Sequence, residues 1–242
     1  SDTLLLDVMH PNTSFNASFI AKFNSNGQEQ WFRKLGGGIS CIAYDVFFYN
    51  QSLYVTGDYR GTLVAEGGNV TLPNQYTHQC FLLAYNLQGT PLWGRFYGSE
   101  SQITSRAVAA NQSGVYTAGH FKCTATHFSN LYGSGVFNSV GYWDSYMTKY
   151  SLAGQFDWAR HWGGKSDDHC WYLTSSGLNN EPVVCGSFKT NLNIPYIPWP
   201  SNNFQQLGNY SSTPYLQNDY CGSQVYGTFA TYSAQGNYDC YV

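Results

Sequence analysis

Short runs in which apolar and polar residues alternate, separated by Gly- and Asn-containing turns, follow one another along most of the 242-residue chain. Such alternation predicts half-buried β-strands, and no stretch sustains the 3.6-residue period of a helix. Phe19 to Phe23 is the first such run, and the turn after it holds Gly27, which supplies the positive φ of a tight hairpin. Trp31 lies on the next strand. Ile42 to Phe48 and Leu53 to Tyr59 follow, joined by the turn at Asn50 and Gln51.

The pattern repeats. FIAKFNSNGQEQW at 19–31 returns as FLLAYNLQGTPLW at 81–93 and as YMTKYSLAGQFDW at 146–158, and FATYSAQGN at 229–237 reads as the opening of a fourth copy. Leu35-Gly36-Gly37, Tyr97-Gly98-Ser99 and Trp162-Gly163-Gly164 close the segment after each Trp. Gly57, Gly119 and Gly186 then recur, each followed at two residues by an aromatic (Tyr59, Phe121, Phe188) and at three by a cation (Arg60, Lys122, Lys189). A constant unit with variable outer loops is the mark of a repeat architecture. The predicted organisation is an N-terminal segment 1–17 that caps the array or pairs with a neighbour, then repeat 1 at 18–78 and repeat 2 at 79–141. Repeat 3 spans 142–227 with a long insertion at 191–227, and 228–242 begins a fourth, all in one domain. Each unit reads as four strands, so the predicted fold is all-β, with propeller-like four-stranded antiparallel blades in an open or incomplete ring.

Ala21-Lys22-Phe23, Gly27, Trp31, Leu35-Gly36-Gly37 and Tyr54-Val55-Thr56-Gly57 resemble the bacterial seven-bladed β-propeller repeats called SBBP repeats. Gly163-Gly164-Lys165-Ser166-Asp167-Asp168 is similar to that family's Gly-Gly-x-x-Asp-Asp turn. The resemblance implies a propeller fold and an extracellular setting and no reaction. This chain departs from it in its uneven repeat lengths, its cysteines and its small number of units.

Charged residues make up 10% of the chain and aromatics 18%, against about 25% charged in ordinary soluble domains. Glycans, or burial in an assembly, are the expected means of covering so uncharged a surface. The net charge of -3, with only 11 Lys and Arg, argues against nucleic acid, and no run reaches the roughly 18 apolar residues of a membrane span. Cys41, Cys80, Cys123, Cys170, Cys185, Cys221 and Cys240 show neither CxxC pairs nor zinc spacing, which predicts disulfides in an oxidising compartment, with Cys240 the odd one out. The alternative is buried free thiols. Sequons at Asn12, Asn16, Asn50, Asn69, Asn111 and Asn209 point the same way, Asn50 and Asn111 falling in matching inter-strand turns.

No nucleophile elbow, P-loop, metalloprotease or EF-hand motif is present, so no catalytic residue, metal site or cofactor is assigned. Gly36-Gly37-Gly38 reads as a turn, since no helix follows it. Asp167-Asp168-His169 is the densest polar cluster and reads as a solvated blade turn rather than a cation site. Trp31, Trp93 and Trp158 read as inter-blade core rather than sugar platforms. The expected function is a secreted structural or adhesive glycoprotein that self-associates, as an oligomer or a filament. Carbohydrate binding, through the aromatic and Asn-rich 191–227 segment, is second and glycoside hydrolysis third.

Overall fold

A computed structural model of the chain describes residues 16–99, 101–122, 124–126, 136–139, 141–164, 166–175, 181–189, 191–195, 229–233 and 239–241. The first repeat forms β1 (Ser18–Phe23), β2 (Glu29–Gly36), β3 (Ser40–Tyr49), β4 (Ser52–Arg60), β5 (Leu63–Ala65) and β6 (Val70–Leu72). The second forms β7 (His78–Asn86), β8 (Pro91–Ser99), β9 (Gln102–Asn111), β10 (Gly114–Lys122), β11 (Thr124–Thr126) and β12 (Val136–Asn138). The third forms β13 (Asp144–Tyr150), β14 (Phe156–Gly164), β15 (Asp168–Ser175), β16 (Pro182–Phe188), β17 (Asn191–Pro195) and β18 (Phe229–Ser233), and β19 (Asp239–Tyr241) follows. No helix occurs among the described residues. The fold is all-β, an open array of propeller-like antiparallel sheets.

Two sheets have six strands, in the orders β3-β4-β7-β8-β11-β12 and β9-β10-β13-β14-β17-β18. A four-stranded sheet, β1-β2-β5-β6, stands at one end, and a three-stranded one, β15-β16-β19, at the other. Each sequence repeat is thus divided between two sheets. Its first two strands and its last hairpin finish one sheet, while its middle hairpin begins the next. The expected boundary at 141/142 falls in the loop between β12 and β13, and that at 78/79 falls at the first residue of β7. The physical reason for the division lies in β4, which pairs with β7 from Ser52↔Asn86 to Tyr59↔Gln79. This makes β7 a central strand, buried on both faces.

The fourth repeat also begins later than its sequence suggests. Tyr241 pairs with Gly186 as Tyr146 pairs with Gly119 and Phe81 with Gly57, so Asp239 opens the new unit. Phe229–Ser233, despite its likeness to a first strand, pairs with β17 in the outer-hairpin slot that β12 fills beside β11.

Apolar clusters fill the spaces between sheets. One joins Leu35, Val55, Leu63 and Phe81; another joins Tyr54, Leu82, Val108 and Tyr150. Tyr97 and Tyr146 join this packing with their hydroxyls satisfied. Tyr97 donates to Ser105 Oγ at 2.9 Å, Tyr146 donates to Tyr97 at 3.1 Å, and Ser105 and Thr56 share a hydrogen bond of 2.6 Å. A satisfied network of this kind fixes one arrangement of neighbouring sheets.

Candidate functional site

Each repeat carries a Trp and, two residues later, an Arg on its second strand: Trp31 and Arg33, Trp93 and Arg95, Trp158 and Arg160. The guanidinium lies over its own indole at 5.6, 5.6 and 5.4 Å. The first two pairs grip the hairpin turn of the following repeat. Trp31 Nε1 donates to the Leu87 carbonyl at 2.8 Å and Arg33 Nε to that of Gly89 at 2.8 Å. Trp93 Nε1 donates to the Leu152 carbonyl at 3.3 Å and Arg95 Nε to that of Gly154.

The gripped turns share one geometry. In the Asn24, Asn86 and Ser151 turns the first residue bonds to the fifth, and the Gly N–H bonds back to the first at 3.0, 3.1 and 2.8 Å. Gly27, Gly89 and Gly154 take φ of 77°, 74° and 78°. Only glycine fits inside a filled clamp, since a Cβ on Gly89 would lie 2.8 Å from Trp31 and one on Gly154 2.8 Å from Trp93. Gly27 meets nothing within 4 Å. At the other end, the only hydrogen bond described from the Trp158–Arg160 pair is Arg160 Nη1 to the neighbouring Ala159 carbonyl.

A second constellation lies on the inner strands. Register shifts leave Tyr44, Arg106 and Trp171 as extra residues in β3, β9 and β15, each beside the recurring Gly57, Gly119 or Gly186. These are β-bulges, which re-aim a side chain. A Cβ on Gly57 would sit 2.0 Å from the Ile42 carbonyl oxygen, and one on Gly119 1.9 Å from that of Thr104, so the repeated glycine is a requirement of the bulge. The three re-aimed side chains meet, with the Arg106 guanidinium 4.1 Å from the Tyr44 ring and 5.7 Å from that of Trp171. Trp171 stacks on His169, and His120 sits edge-on to His169 at 4.3 Å.

Beside this ladder a cavity of about 430 Å³ is lined by Ser40, Tyr44, Asp58, Arg60, His78 and Ile103. Burial raises Asp58 to about 6, although its carboxylate accepts from the Ser105 N–H at 2.9 Å. Burial and the neighbouring His169 hold His120 down to about 3, so it is neutral. A neutral imidazole and a cation held between aromatic rings suit stacking and hydrogen bonding. Sequence reasoning missed the ladder. The repeated glycines were visible, but Tyr, Arg and Trp share no residue type.

Asp168 corrects the solvated-turn expectation for Asp167-Asp168-His169. It is fully buried, its carboxylate accepts from the Gly164 N–H at 2.5 Å, and burial raises it to about 8. Among the described residues no three His, Cys, Asp or Glu side chains gather as a metal site.

Asn16, Asn50 and Asn69 are exposed, as sequons require. Asn111 is not equivalent to Asn50, because it ends β9 opposite Gly114 just as Tyr49 ends β3 opposite Ser52. It is only 4% exposed, with its side-chain oxygen accepting from the Ser113 N–H, and is removed from the glycan candidates. Asn12 and Asn209 lie outside the described residues, as does the 196–227 part of the insertion.

Cys41, Cys80, Cys170 and Cys185 are free thiols, which corrects the disulfide expectation for these four. Burial pushes Cys41 and Cys170 up to about 12 and Cys80 well above its usual value, which withholds the thiolate that exchange needs. Cys123 and Cys221 lie outside the described residues, and Cys240 lies on β19. Compared with known proteins, the chain matches no family model and no curated protein.

Proposed function

We propose that this chain is a non-enzymatic, secreted, glycosylated structural or adhesive protein that works as one subunit of an extracellular assembly. One observation carries the reading: side chains at identical repeat positions are buried inside the array and bare at its ends. Phe19 and Phe23 are 59% and 58% exposed, whereas their counterparts Phe81 and Tyr85, and Tyr146 and Tyr150, are all 0% exposed. At the opposite end Val183 is 39% exposed and its counterparts Tyr54 and Tyr116 are 2%. A pattern that repeats residue types suited to burial, and buries them only in its middle, supports a subunit whose end faces are covered by another copy.

The resemblance to SBBP repeats and the exposed sequons at Asn16, Asn50 and Asn69 support an extracellular setting. Sedimentation and negative-stain microscopy of the natively purified protein test the reading. Oligomers or filaments are the expected result, and a monodisperse monomer at every concentration overturns it. Carbohydrate binding is the second reading, favoured by the Tyr44–Arg106–Trp171 ladder beside its cavity. Glycan binding that Arg106→Ala abolishes would move it to first place.

A further inference from the structure

We infer that the clamp of Trp158 and Arg160, which holds no turn among the described residues, is filled by the Asn24–Gln28 turn of a second copy of this chain, whose β1 adds to the edge of β16. The inference rests on the assembly reading and names its partner and register.

The two end sheets are complementary fragments of an internal one. β1-β2-β5-β6 corresponds to the outer four strands β7-β8-β11-β12, and β15-β16 corresponds to the inner pair β3-β4. Joined across two copies they form another six-stranded sheet. Its register follows from the repeats, because β4 pairs with β7 through Val55↔Leu83 and Gly57↔Phe81. The equivalent positions set Val184 opposite Ala21 and Gly186 opposite Phe19. Trp158 Nε1 then donates to the Ser25 carbonyl and Arg160 Nε to the Gly27 carbonyl, reproducing the two filled clamps.

β19 now occupies the Gly186–Phe188 edge over three residue pairs, so the incoming β1 displaces it. The exchange favours β1, which brings six residues, the exposed rings of Phe19 and Phe23, and a turn shaped for the clamp. Backbone pairing along the edge supplies affinity, and the clamp supplies specificity. The contact is heterologous, so it closes into a ring or runs on as a filament. Two copies supply six blades, within the roughly four to eight of closed propellers.

The test uses the full chain. Ala21→Cys and Val184→Cys are made separately, mixed and oxidised, and the product is mapped by mass spectrometry. In parallel, sedimentation compares wild type with Trp158→Ala and Asn26→Trp. Asn26 is exposed in its turn, so its variant keeps the fold if Trp158→Ala does not. The mixture is expected to form a 21–184 disulfide that neither variant forms alone, and each clamp variant to weaken association at least about tenfold. Deleting 239–242 is expected to strengthen association by freeing the β16 edge. Assemblies that persist at full strength in Asn26→Trp without the 21–184 link overturn this interface alone. A wild-type monomer at every concentration overturns the interface and the assembly reading together.

Discussion

Trp93 and Trp158 hold the same place in consecutive repeats and do different work. Around Trp93 the clamp is closed on Leu152 and Gly154, while Trp158 rests against Tyr116 and its own Arg160. The difference teaches that the repeat is shaped around a neighbour: the same Trp-x-Arg spacing is an internal strut where the next turn is described, and at Trp158 it is the proposed seat of a second copy's turn.

The largest separation between the two is expected in the isolated subunit. Trp93→Ala should lower unfolding free energy by about 3–5 kcal/mol, as truncation of a packed Trp does, and Trp158→Ala by less than half of that. Urea denaturation at a concentration that prevents association measures both. Equal losses would break the comparison.

Next comes the turn glycine. Gly27→Ala should cost about 1–2 kcal/mol for a left-handed residue, whereas Gly89→Ala adds a clash with Trp31 of about 1–3 kcal/mol. The same denaturation curves resolve the two, and assembled protein should erase the advantage of the Gly27 variant.

A further effect is pH-dependent. Burial raises Asp168 to about 8 and Asp58 to about 6 in the folded state, above the roughly 3.9 of an unfolded Asp. The unfolded chain therefore releases these protons first as pH rises, so their contribution to stability is whole below about pH 4 and is lost by pH 8. His120 runs the other way. Held down to about 3, it refuses the proton that the unfolded chain accepts below about pH 6.5, so acid destabilises the fold through this residue. Asp168→Asn should melt above wild type at pH 8 and with it at pH 4, as read by thermal denaturation across that range. The Asn oxygen keeps the bond from Gly164.

The smallest effect on stability is expected at the sequons. Expressed through a secretory pathway, the chain should carry a glycan at Asn50 and none at Asn111, and Asn50→Gln should shift the mass without moving the melting temperature. Glycopeptide mapping checks the pair.

Much of the fold was legible in the sequence. Strand positions followed from period-two alternation, the turns from Gly27, Gly89 and Gly154, and the repeat from the aligned Trp31, Trp93 and Trp158. The inter-blade role of these tryptophans was legible too, because a residue that recurs with structural glycines is set by packing. Arg33, Arg95 and Arg160 recurred at the same spacing and were the readable signal of the clamp that went unused.

Only the tertiary structure decided which strands pair. Alternation sets which face of a strand is buried and says nothing of its neighbour, so the division of each repeat between two sheets, and the start of the fourth repeat at Asp239 instead of Phe229, emerged from register alone. Nor did the sequence separate Asn50 from Asn111, because one residue's shift along a strand moves a side chain from the turn's open tip to its packed base. The local chain determined the repeat and its turns. The long-range pairing decided where a repeat ends and how the first two clamps are filled.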